Sequence, residues 1–206
     1  MAKESSFKNM VLTLLTITFV SSAVLAGVYR LTAESIEAVR IQKINRGISE
    51  VLPPFDNNPS ENVYKKYVDG DTVYVYIATK DGNSVGAAVQ TFTNNGYGGR
   101  IVLLVGFLID GTINNINVIS HNETPGLGDK ISPQKSEFSL QFHGKNPENY
   151  KLSVRKEGGE VNAITASTIS SKAFCDAIER AYRVYREDVM KKGNWDAGTG
   201  ATSTNK

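Results

Sequence analysis

The chain has 206 residues, 40% of them hydrophobic and 21% charged, enough for one domain with a packed core. Its formal net charge is +2 and its aromatics are scattered without a basic stripe, which excludes a nucleic-acid-binding surface from the expectations. A single cysteine, Cys175, excludes an internal disulfide and a multi-cysteine metal centre, and His121 and His143 stand too far apart in sequence to suggest a metal site.

Asn9 to Tyr29 is a run of 21 residues without a charge. A membrane span needs about 20 residues at the α-helical rise, so this run is expected to cross a bilayer, with Tyr29 at the interface. The small residues of SSAVLA also resemble a signal-peptide cleavage site, although the apolar core of such a peptide is usually about 7–15 residues. Lys3 and Lys8 before the run against Arg30 behind it favour, slightly, an N-terminus on the cytoplasmic side. Residues 1–30 are therefore read as cytoplasmic N-terminus and anchor, 31–192 as an extracytoplasmic domain, and 193–206 as a flexible polar tail.

Residues 32–52 place Ile36, Val39, Ile44 and Ile48 at helical spacing, with Thr32 as an expected N-cap and Pro53–Pro54 as the stop, in a helix expected to continue from the anchor into the domain. The period then changes to two. Residues 63–68, 72–79, 84–92, 100–109 and 112–120 read as strands, separated by turn signals such as DGD and DGN, and together they predict an antiparallel meander. Residues 136–144 fit a short helix or a strand, and 150–156 reads as a further strand. After Ser170, Phe174, Ala177, Ile178, Ala181, Val184 and Tyr185 mark one face of a helix that ends near Gly193. The fold class is α+β: a twisted antiparallel sheet packed with helices on one transmembrane helix.

Three stretches carry more chemistry than their local structure requires. NNGYGGR (94–100) is a hairpin loop or a close approach of backbone to a ligand. HNETPGLGDKI (121–131) crowds Pro and Gly with polar groups around Leu127, as a plain turn or a binding loop does. NAITASTISS (162–171) gathers Thr165, Ser167, Thr168, Ser170 and Ser171 at the start of the last helix. One hydroxyl suffices to cap a helix; a cluster at the positive end of the helix dipole also suits a phosphate.

GYGG (96–99), HNETPGLGDKI and NAITASTISSKAF (162–174), in that order, resemble the FMN-binding domain of the G subunits of Rnf electron-transport complexes, related to the C subunits of sodium-translocating NADH:quinone reductases. The resemblance covers roughly residues 8–192. It implies a cell inner membrane protein with its domain on the periplasmic side. It also implies FMN joined by a phosphoester to a Thr, placed at Thr168. Glu123, Thr124, Leu127 and Gly128 become expected contacts of the flavin ring, and Thr165, Ala166, Ser167 and Ser171 the residues around its phosphate. The family pattern is Ser/Thr-Gly-Ala-Thr-x-Ser/Thr preceded by Asp. Asn162 and Ala166-Ser167 depart from it, whereas the tail segment 196–204, with Thr202 at the acceptor position, fits it strictly; Thr202 is the alternative attachment site.

The implied role is electron carriage in a membrane complex coupling ferredoxin:NAD⁺ oxidoreduction to Na⁺ or H⁺ translocation, with other subunits and a flavin transferase as partners. The alternatives are the quinone-reducing complex and a membrane-anchored binding module without a redox group. No catalytic residue is assigned, and no dinucleotide fingerprint or cysteine cluster is present, so NAD and ferredoxin would react on other subunits.

Overall fold

The computed structural model describes residues 6–61 and 63–191. Helix α1 spans Phe7–Val51, and strands β1 (Val63–Val68), β2 (Asp71–Lys80), β3 (Asn83–Gly96), β4 (Gly99–Leu108) and β5 (Ile113–His121) follow. Short 3₁₀ turns at Gly128–Ile131, Phe138–Phe142 and Arg155–Glu157 lead to α2 (Thr168–Val184), which continues as a π-helical segment, Tyr185–Met190.

The N-terminal part of α1, through Lys43, forms one unit and the chain from Ile44 onward the other. Over the N-terminal part, α1 is long and apolar enough to cross a membrane. Its threonine hydroxyls remain satisfied in such a setting: Thr13, Thr16 and Thr18 each donate to the carbonyl four residues earlier. Thr32 does the same, donating to Val28 O at 2.9 Å. It is therefore no N-cap, and the helix over 32–52 continues from the apolar run as one element, as expected. Nothing in the sequence between Tyr29 and Leu31 breaks the helical hydrogen bonds, so the chain has no reason to restart. Pro53 and Pro54 lie just beyond its end, where proline stops a helix.

In the second unit the five strands form an antiparallel sheet in the order β1-β2-β3-β4-β5. β4 reads as a near-continuous apolar run because both sheet faces are covered. On one face, α2 and the 3₁₀ turns pack Phe138, Phe142, Phe174 and Ile178 against Val89, Leu103, Val105 and Phe107. On the other, Ile48, Val51 and Leu52 pack on Tyr76, Ala88 and Leu104. Gly106 permits that second contact: a Cβ there would lie 2.0 Å from Val51 O. β5 closes the helix end, with Asn114 Nδ2 donating to Val51 O (2.9 Å) and Asn115 Nδ2 to Glu50 O (3.0 Å). These are end carbonyls that a helix leaves unsatisfied.

Two further expectations meet the structure differently. Residues 136–144 adopt the short helical option as the 3₁₀ turn at Phe138–Phe142. Residues 150–156 form no strand: the segment makes one isolated bridge, Val154 with Val161, and then a 3₁₀ turn. Its backbone is folded on itself, Val161 N donating to Ser153 O and Arg155 N to Val161 O, so the alternating side chains have no neighbouring strand to follow. α2 begins at Thr168, two residues before the expected start. The tail with Thr202, and the expected helix end at Gly193, lie outside the described residues.

Candidate functional site

The three chemistry-rich stretches are brought together, and Glu123 is where they meet. The GYGG stretch is a two-residue hairpin turn: Gly96 pairs with Gly99, leaving Tyr97 and Gly98 at the tip. Gly98 N–H donates to Glu123 Oε1 at 3.0 Å. Glu123 follows closely on β5, and its second oxygen, Oε2, accepts from Ser170 Oγ in the first turn of α2. With 5% of its surface exposed, Glu123 is enclosed by all three stretches.

The glycines explain how a carboxyl fits there. A Cβ at Gly96 would lie 2.5 Å from Glu123 Oε1, and one at Gly128 would lie 2.3 Å from Glu123 Oε2 and 2.8 Å from Ser170 Oγ. A Cβ at Gly98 would lie 2.0 Å from Asn122 O. Any side chain at these positions would push the stretches apart. His121 fixes the loop from below: Glu123 N–H donates to His121 Nδ1 at 3.2 Å, and His121 Nε2 is 3.1 Å from Ser132 Oγ. A backbone N–H only donates, so Nδ1 is the acceptor and the ring proton belongs on Nε2, directed at Ser132.

The loop after Glu123 folds over its own backbone, Thr124 O accepting from Leu127 N–H (3.2 Å) and Asp129 N–H (3.3 Å). Thr124 is exposed, as is Leu127 at 43%, a large apolar residue facing outward beside buried Gly128. Ile169, at the start of α2, is exposed at 52%. Asp129 is 9% exposed and its Oδ1 has no hydrogen-bond partner among the described residues. A buried polar atom without a partner costs about 1–3 kcal/mol, so a ligand donor would be favourable at that spot.

At the start of α2, Ser167 occupies the N-cap position, yet its side chain makes no capping bond. Its Oγ donates instead to Ser170 Oγ at 2.9 Å. Ser171 is fully buried and its hydroxyl is used twice, accepting from Ile164 N–H and donating to Ser167 O, both at 2.9 Å. It secures the loop to the helix. Among the described residues, no acceptor meets the N–H groups of Thr168, Ile169 and Ser170. Thr168 is half-buried as the first helical residue, and Thr165 and Ala166 are exposed before it. Ala166 has a φ of +60°, a conformation glycine adopts without strain, at the position where the family pattern carries Gly.

The expected residues therefore divide by environment. Thr124, Leu127, Thr165, Ala166 and Thr168 are available to a ligand, while Glu123, Gly128, Ser167 and Ser171 form the buried framework beneath them. Free backbone donors at a helix start, an unpartnered acceptor at Asp129 and exposed apolar groups at Leu127 and Ile169 fit a ligand with both an anionic end and a flat apolar ring. Sequence reasoning singled out neither Ser170 nor Asp129. Ser170 was visible only as one hydroxyl of five, and Asp129 as an ordinary loop acid; pairing and burial separate them from their neighbours.

Cys175 is buried in α2 behind this site, and burial pushes its thiol up to about 12. Both the position and the shift agree with a core residue.

The FMN-binding domain family matches residues 96–183, which begin at the GYGG turn and end within α2. Over 186 residues the chain is 33% identical to the G subunit of the ion-translocating oxidoreductase complex of Vibrio cholerae serotype O1 (strain ATCC 39315 / El Tor Inaba N16961), covering 85% of this chain and 88% of that protein. It is 34% identical over 171 residues to the protein of the same name from Salmonella typhi, covering 78% and 82%. With that of Shewanella piezotolerans it shares 30% identity over 199 residues, covering 92% and 93%. Identity at this level, along nearly the whole length of both chains and across the three stretches that meet at Glu123, places the chain in the family of ion-translocating oxidoreductase complex G subunits.

Proposed function

We propose that this chain is the electron-carrying flavoprotein subunit of a membrane complex that couples ferredoxin:NAD⁺ oxidoreduction to Na⁺ or H⁺ translocation, with FMN joined through a phosphoester to Thr168. The observation that carries the reading is the convergence of the three stretches at Glu123 beside a helix start whose N–H groups meet no acceptor among the described residues. Bound FMN supplies the redox chemistry. The residues of this chain hold and orient it: the N–H groups of the first turn of α2 face the phosphate, with Thr165 and Ala166 around it above buried Ser167, and Thr124 and Leu127 face the ring above buried Gly128. Burial of the framework excludes water from beneath. The partners are the other subunits of the complex.

Attachment requires a separate flavin transferase, because an unactivated Thr hydroxyl is a poor nucleophile at neutral pH. The anchor helix holds the domain at the membrane, on its periplasmic side. The strict pattern at 196–204 makes Thr202 the competing acceptor.

Thr168→Val removes the hydroxyl and leaves the shape nearly unchanged. In cells containing the transferase, denatured Thr168→Val protein is expected to lose in-gel flavin fluorescence while Thr202→Val protein keeps it. The reverse result moves the attachment to the tail. Fluorescence lost only in the double variant means two attachment sites. Wild-type protein without any yellow colour would leave a membrane-anchored binding module with no redox group.

A further inference from the structure

We infer that Ser170, held by Glu123, is a positioning residue that keeps the start of α2 open for an anion by drawing the N-cap hydroxyl away from it; the inference rests on the flavin-phosphate reading above. A serine at the N-cap ordinarily turns its oxygen back to accept from the N–H of the second or third helical residue, the third being Ser170 here. That bond would occupy one of the donors a phosphate needs. Ser167 does not make it, and its backbone (φ −136°, ψ 45°) is off the extended conformation usual for a cap.

The reason lies in a short chain of hydroxyls. Ser170 has one hydrogen, and it goes to Glu123 Oε2. In the contact between the two serines, Ser170 Oγ is thus the acceptor and Ser167 the donor. Glu123 cannot swing away, because its other oxygen accepts from Gly98 N–H and the space around it is filled as far as Gly96 and Gly128. So a carboxyl fixed by the hairpin turn fixes Ser170, which fixes the hydroxyl of Ser167, a residue only 7% exposed. Helix stability is forgone to leave the first-turn N–H groups unused, which is the arrangement an anion site needs.

The test uses the full-length chain in detergent, made without the transferase and therefore free of attached flavin. FMN and riboflavin, which lacks the phosphate, are titrated against four proteins: wild type, Ser170→Ala, Ser167→Ala and the double variant. Ser170→Ala frees Ser167 to cap the helix, so FMN affinity is expected to fall about fivefold, the size of one cap, with riboflavin affinity unchanged. In the Ser167→Ala background no cap can form, and the Ser170→Ala substitution is expected to have no further effect on FMN. An equal loss in both backgrounds means that Ser170 acts only by packing and overturns the inference; so does the absence of any loss. A fall in riboflavin binding and in thermal stability together signals a damaged fold and also overturns it. A wild-type chain that does not distinguish FMN from riboflavin removes the phosphate site itself, and with it the flavin-phosphate reading.

Discussion

Ala166 is the residue at which the local conformation and the amino acid disagree. Its φ of +60° lies in the left-handed region, which costs a residue with a Cβ on the order of 1 kcal/mol or more. The chain turns there because the loop must fall back on α2, with Ser171 gripping Ile164 and Ser167. Ala166→Gly is expected to raise stability by about 1 kcal/mol, after allowing for the extra freedom of glycine in the unfolded chain. A melting temperature equal to or below that of wild type would show that the turn carries no such strain. Cys175 offers a second measurement at this scale. Buried, with its thiol pushed up to about 12, it is expected to resist alkylation by iodoacetamide at pH 8 in the folded protein and to react at once in denaturant. Rapid labelling of the native chain would mean that α2 opens readily.

Among the elements, the contact between the end of α1 and the sheet depends on the lack of a side chain at Gly106, where a Cβ would lie 2.0 Å from Val51 O. The carbonyl is backbone and cannot step aside as a flexible side chain would. Gly106→Ala is expected to displace the last turn of α1, expose Ile48 and Val51 and cost about 3 kcal/mol, as overpacking against rigid structure does. A variant as stable as wild type would mean that this contact is loose. Asn114→Ala removes only the bond to Val51 O and is expected to cost about 1 kcal/mol, so the two variants separate steric exclusion from hydrogen bonding. The strands are legible in the sequence at this scale because Val, Tyr and Thr alternate between turn signals. Residues 150–156 carry the same alternation without a neighbouring strand, so the pattern misleads there. It also misleads at Thr32, whose hydroxyl serves a carbonyl of the preceding turn as well as it would cap a new helix.

For the whole molecule, the first turn of the sheet and α2 are tied by charge. Asp69, in the β1–β2 turn, accepts from Arg180 Nε (2.9 Å) and Arg183 Nη2 (2.7 Å) of α2. The hydrogen bond from Arg180, then that from Arg183, holds its carboxyl below the usual carboxylate range. A depressed folded value adds stability that is complete above the unfolded value, about 3.9, and disappears as pH falls through the folded one. Its side chain is about half exposed, so the contribution is roughly 0.2–1 kcal/mol. The difference in melting temperature between wild type and Asp69→Asn is expected to be full at pH 7 and to shrink as pH falls below the unfolded value. A difference that does not shrink in acid would trace the effect to something other than charge. On the same scale, external protease added to intact spheroplasts is expected to digest the flavin domain; complete protection would reverse the proposed topology, and a mature N-terminus near Gly27 would turn the anchor into a signal peptide.

Features written in neighbouring residues can be read without a structure. A run of apolar residues states its own length, alternation states a strand, and ETPGLGD or ASTISS announces polar groups where a plain turn needs few. What those groups do depends on contacts that the folded chain creates. Glu123 is 25 residues from Gly98 and 47 from Ser170 along the chain, yet hydrogen-bonded to both in space, and no local pattern encodes a partner at such a separation. Burial accounts for the rest. Ser167, Ser170 and Ser171 are chemically alike and nearly adjacent, yet their hydroxyls face different neighbours, so one leaves a helix end uncapped, one bonds a carboxyl and one grips a loop. The identity of a side chain fixes which bonds it can form; the packing around it selects the ones it makes.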